Sequence, residues 1–128
     1  TAAYIVDQTS TVISPYFLPT IIFLSACFIS FSTGTSWGTM GILMPLTIPL
    51  ALEVADINSF TDVQSYHLML GSISSVLAGA IFGDHCSPVS DTSFLSSFGA
   101  GSDHMDHVIT QLPYAFLCGL LASVAFGA

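Results

Sequence analysis

The sequence predicts an all-α, polytopic membrane protein with discontinuous or re-entrant helices. Three observations carry this. Of 128 residues, 52% are hydrophobic and 6% charged, with a mean hydropathy of +0.82. Soluble domains carry about a quarter charged residues, so this chain lacks the charge to solvate a globular surface and suits lipid instead. Its apolar runs are broken by two islands of Ser, Thr, Gly and Asp, each where a span would be expected to continue.

The elements follow in order. Residues 1–14 are mixed and polar, with Asp7 and Gln8, and suit an amphipathic helix at the interface. Residues 15–32 form a membrane segment whose prolines, Pro15 and Pro19, fall near its start, where a helix tolerates them. The first island is Ser32-Thr33-Gly34-Thr35-Ser36-Trp37-Gly38-Thr39. A second apolar run, residues 40–54, holds Pro45 and Pro49 and should be kinked or only partly inserted. Residues 53–66 read as a polar connector. Residues 67–82 are apolar and rich in small side chains, which let helices pack closely in lipid. The second island is Gly83-Asp84-His85-Cys86-Ser87-Pro88-Val89-Ser90-Asp91-Thr92. A short segment, residues 93–100, comes next. Residues 101–111 read as a polar linker, and the last helix is expected to begin near Pro113. The order of apolar segment, island, shorter apolar segment and connector therefore occurs twice.

Composition excludes several classes. There are eight Asp or Glu, four His and no Lys or Arg. Without a basic residue the chain has nothing with which to bind a phosphate backbone, so nucleic acid is excluded as a partner. Disorder is excluded by too few acids and too many aromatics. The missing Lys and Arg also remove the positive-inside signal, leaving orientation open. Cys27, Cys86 and Cys118 have no zinc or redox spacing and read as small buried thiols. The first residues carry no signal-peptide pattern. The apolar run after residue 116 is shorter than a full span. The expectation is one transmembrane unit over residues 1–128, cut from a longer chain.

A broken helix in a membrane exposes backbone groups that need protein, or a wet cavity, to satisfy them. Freed carbonyls can coordinate Na⁺. The hydroxyls of Thr33, Thr35, Ser36, Thr39, Ser87, Ser90 and Thr92 add hard oxygen ligands. Gly34, Gly38, Gly83 and Pro88 suit the backbone bends. Asp84 and Asp91 are the most informative residues, because a carboxylate in a membrane segment is costly and usually functional. No basic residue in the chain can neutralise them, so Na⁺ or a proton is their natural partner. A carboxylate that exchanges a proton for a metal cation supplies the minimal chemistry of an antiporter. The alternatives stay open: each island as a plain loop, and the two acids as helix caps near Pro88. His85 is a candidate proton relay or a structural partner. Residues Asp103, His104, Asp106 and His107 fit a solvated connector, a divalent metal site or a pH sensor. Trp37 fits an interfacial anchor or a packing residue.

The string Thr33-Gly34-Thr35-Ser36-Trp37-Gly38-Thr39 resembles a motif of the NhaC-type sodium/proton antiporter family. Residues 83–92 resemble that family's most recognisable segment, and Asp103-His104-Met105-Asp106-His107-Val108 and Thr110-Gln111-Leu112-Pro113-Tyr114-Ala115 follow in the family's order. Val89 and Ser93 stand where Ile and Thr are common in the pattern. The resemblance covers nearly the whole chain. It implies a multi-pass secondary transporter of the cytoplasmic membrane with inverted repeats and re-entrant hairpins, of which this chain forms part of the C-terminal half. It implies no enzyme and no cofactor, with Na⁺ and H⁺ as transported ions. The partners it implies are lipid, small cations and the remainder of the same transporter, with a homodimer left open. Exchange of Na⁺ or H⁺ for an organic acid or amino acid is the alternative. In that case the first island would cradle a substrate carboxylate. A non-transporting membrane subunit is the reading from another class. Under the antiporter reading the islands lie together, with hydroxyls of Thr35, Ser36 and Thr39 facing Asp84, Ser87 or Asp91 across a polar cavity.

Overall fold

The structure, a computed structural model, describes residues 14–127. The amphipathic helix expected over residues 1–14 lies outside the described residues, apart from Ser14. Five helices follow: α1 (Leu18–Thr33), α2 (Ser36–Ile57), α3 (Asp62–Cys86), α4 (Asp91–Ala100) and α5 (His104–Gly127). Helices α2, α3 and α5 are long and apolar enough to cross a membrane. At about 1.5 Å per residue, the 16 residues of α1 reach about 24 Å, short of the hydrocarbon thickness of about 30 Å.

The local reasons are legible. Pro19 opens α1 at a position where its missing N–H costs nothing. Gly34 ends α1 at φ 66°, its N–H returning to the Ser30 carbonyl; a side chain there would pay for left-handed backbone. Thr35 then caps α2, its hydroxyl accepting from the Gly38 N–H. Gln64 opens α3 by accepting the Thr61 N–H at 3.1 Å. Asp103 caps α5 by accepting from the N–H groups of Met105 and Asp106 at 2.9 and 3.2 Å.

Several boundaries differ from the sequence expectation. The connector over residues 53–66 shrinks to 58–61, because α2 runs to Ile57 and α3 starts at Asp62. Pro45 and Pro49 sit inside one continuous helix. The linker over residues 101–111 shrinks to 101–103, and α5 starts at His104, not near Pro113. The Asp103 cap starts that helix early, and Pro113 forgoes one backbone bond without ending it.

Helix α1 runs parallel to α3. Pro19 lies by Gly71, and Gly79 and Gly83 press on the α1 backbone near Phe23 and Cys27. A Cβ on Gly83 would meet the Cys27 carbonyl, the Phe31 nitrogen and the Ser30 Cβ. Gly83 is therefore a close-approach residue within a helix and not a backbone bend, which corrects the expectation. Ser30 hydrogen-bonds across the seam to the Ala80 carbonyl. Helix α2 runs back along α1, so its Ala51 and Val54 share a core cluster with Leu18, Ile22 and Val76. Helix α5 returns antiparallel to α3 and α1. Gln111 bonds to His85, Gly119 meets the Phe82 ring and Phe126 stacks near Phe23. Parallel α1 and α3 thus break at the same end of the bundle.

Candidate functional site

The two breaks touch. A Cβ on Gly34 would lie 2.8 Å from the Val89 carbonyl oxygen and 3.1 Å from the Ser90 nitrogen. Ser87 donates its hydroxyl to the Phe31 carbonyl of α1 at 2.8 Å, satisfying a terminal acceptor that α1 leaves open.

The second break is a tight turn. Ser87 ends α3 in extended backbone, as a residue before proline prefers. Pro88 and Val89 make the corner, and the Ser90 N–H closes it on the Ser87 carbonyl at 3.3 Å. Ser90 then caps α4, accepting from the Ser93 N–H. This geometry turns Ser90 back over the last turn of α3, where Asp84 is 6% exposed. The Ser90 hydroxyl donates to Asp84 Oδ1 at 2.7 Å. Thr92 Oγ1 reaches Asp84 Oδ2 at 3.2 Å and lies 2.7 Å from Ser90 Oγ. One buried carboxylate thus gathers two hydroxyls, which also contact each other, and Ser90 accepts the Ser93 N–H as well. Asp84 also sits at the C-terminal, negative end of α3, where a cation is favoured. The chain holds no Lys or Arg to occupy that place.

The remaining candidates fall elsewhere. Asp91 is exposed in the first turn of α4, where the helix dipole favours an acid, and it makes no hydrogen bond among the described residues. Thr33 donates to the Ile29 carbonyl at 2.9 Å, and Thr39 is buried and donates to the Thr35 carbonyl at 2.8 Å. Thr35 serves as a cap, and Ser36 makes no side-chain bond among the described residues. Hence the first-break hydroxyls turn into their own helices, and none bonds to Asp84, Ser87 or Asp91. The large cavity beside the breaks is apolar, about 680 Å³, and lined by residues such as Phe23, Cys27, Phe31, Phe82 and Phe116. Ser32, Thr33 and Thr39 each find the carbonyl one turn back in place of the other island. Gly38 lies inside the first turn of α2, close to the Thr35 side chain. The ring of His85 is exposed and unbonded among the described residues, while its carbonyl accepts from Ser93 and Gln111. Trp37 is 83% exposed, as an anchor would be. No cluster of three or more His, Cys, Asp or Glu among the described residues could hold a metal.

Sequence reasoning missed the supports of this site. Ser93 and Ser97 are buried on α4, and with Ser90 they repeat at helical spacing. That polar stripe was a readable sign of an inward-facing polar seam. His104, placed in a connector by the sequence pattern, bonds to Pro88 and Ser97.

A buried carboxylate at a helix break, in a bundle with membrane-length apolar helices, places the chain among membrane proteins built on discontinuous helices. Comparison with known proteins makes this specific. The Na⁺/H⁺ antiporter family matches residues 1–128, and the chain belongs to that family. An uncharacterized protein of Haemophilus influenzae is 44% identical over 126 residues, covering 98% of this chain and 22% of the relative. An uncharacterized Na⁺/H⁺ antiporter of the same organism is 35% identical, covering 90% and 23%. A malate-2H⁺/Na⁺-lactate antiporter of Bacillus subtilis is 31% identical, covering 88% and 21%. The chain thus spans about a fifth of the length of these relatives. No solved structure gives a significant match.

Proposed function

We propose that this chain is the ion-binding part of a secondary transporter, not an enzyme, that exchanges Na⁺ for H⁺ across the cytoplasmic membrane. Asp84 is the carboxylate that alternates between the two ions. The observation that carries this reading is the buried Asp84 with Ser90 and Thr92 on its two oxygens and no basic residue in the chain. Desolvated charge of this kind needs a partner, and family membership supplies the class of partner. Na⁺ docks on Asp84 with the hydroxyls of Ser90 and Thr92, and a proton replaces it on the same carboxylate. Asp91, at the start of α4, adds negative potential from outside this hydrogen-bonded cluster. The rest of the transporter, lipid and, in a dimer, a second copy cover the exposed apolar faces of the bundle.

A second reading is favoured by one relative, whose name couples H⁺ and Na⁺ to malate and lactate. There the Asp84 site binds the coupling ion and an organic acid binds beside it. The test is the full-length transporter in proteoliposomes under imposed Na⁺ and H⁺ gradients, with and without malate and lactate. Na⁺-driven proton movement without an organic acid supports antiport; a strict requirement for the acid supports the second reading. Asp84→Asn stops transport in both while leaving membrane insertion intact. Wild-type rates in that variant would remove Asp84 from the mechanism.

A further inference from the structure

His104 has no role in the ion chemistry described so far, yet it is the first residue of α5 and reaches back to the second break. Its Nε2 lies 2.8 Å from the Pro88 carbonyl. Its Nδ1 lies 3.2 Å from the Ser97 hydroxyl of α4. Its ring meets Phe94 edge-on, with centroids 5.6 Å apart. One side chain therefore ties three pieces together: α5, α4 and the turn that carries Ser90. We propose that His104 is a positioning residue, which holds this turn in the register that keeps Ser90 and Thr92 on Asp84. The inference rests on the reading of Asp84 as the ion carboxylate.

The Pro88 carbonyl can only accept, so Nε2 carries a proton and donates it to the turn. Nδ1 faces the Ser97 hydroxyl of α4, which also donates to the Ser93 carbonyl at 2.8 Å.

The test uses the full-length transporter in proteoliposomes, with initial rates measured against Na⁺ concentration. His104→Ala is expected to raise the KM for Na⁺ about fivefold, as loss of a hydrogen bond that holds the turn implies, with the maximal rate within about twofold. His104→Gln, which keeps one N–H for Pro88, should recover part of the loss. A KM equal to wild type in His104→Ala overturns the proposal, as does a fall in maximal rate with KM unchanged. Should His104→Ala fail to insert, His104→Gln decides alone: a KM above wild type with the maximal rate kept supports the proposal, and a wild-type KM overturns it. Asp84→Asn separates the two claims. If it transports normally, the site itself is misread; if it is inactive and His104→Ala behaves as wild type, only the role of His104 is refuted.

Discussion

The two helix breaks both carry Ser and Thr hydroxyls but align poorly in sequence, and they are built differently. At the first, Gly34 and Thr35 end one helix and start the next within two residues. Its hydroxyls are spent on caps and on carbonyls one turn back. At the second, the Ser87–Ser90 turn leaves Ser90 and Thr92 aimed at a buried carboxylate. A hydroxyl turns to a carboxylate when that acid lies nearer than its own helix carbonyls, and α3 places Asp84 there. The first break instead supports the second. Gly34 lies against Val89 and Ser90, and the end of α1 accepts the Ser87 hydroxyl.

This asymmetry orders the expected effects of substitution. The largest belongs to Asp84→Asn, which should lower ion-coupled transport by more than about 100-fold, because the charge that holds the cation is gone. Ser90→Ala should come next, raising the KM for Na⁺ by about tenfold through the loss of one ligand and one support of Asp84. Thr35→Val, measured in the same flux assay, should stay within about threefold, since it removes only an exposed cap. Equal losses in Ser90→Ala and Thr35→Val would erase the distinction between the breaks. Gly34→Val should destabilise the folded protein by about 2–3 kcal/mol, read as a lowered thermal midpoint in detergent, because it adds both left-handed strain and a clash with Val89. The smallest effect is expected for Asp91→Asn, a change in KM for Na⁺ of about threefold or less, because Asp91 acts by potential across solvent-exposed space.

Much of this was legible beforehand. Gly34 and Pro88 mark the breaks because each carries a backbone constraint that sequence states directly: left-handed φ at Gly34 and a non-helical predecessor at Pro88. Asp84 stood out because charge is scarce in an apolar chain. The helix ends were harder. Residues 53–57, 62–66 and 104–111 are polar and were read as connectors, but polar residues complete helices whose apolar centres need not reach the ends. Asp103 could have signalled the start of α5, as an acid two residues after Gly101 in position to cap. The parallel pairing of α1 with α3 was not readable, because it depends on which small residues meet. Gly79 and Gly83 face α1 only once both helices exist. The link from His104 to Pro88 was hidden for the same reason, since it joins residues that only the turn and α4 bring together.

The central claim is that the second break, and not the first, holds the ion. Equilibrium binding of radiolabelled Na⁺ to the purified full-length transporter tests this without any requirement for transport. Three proteins are compared: the wild type, Asp84→Asn, and the double variant Thr35→Val/Thr39→Val. The account predicts that the double variant binds Na⁺ with a Kd within about twofold of wild type, a difference of under about 0.5 kcal/mol, and that Asp84→Asn binds none. Saturable Na⁺ binding retained in Asp84→Asn, or lost in the double variant while the protein stays folded, would contradict it.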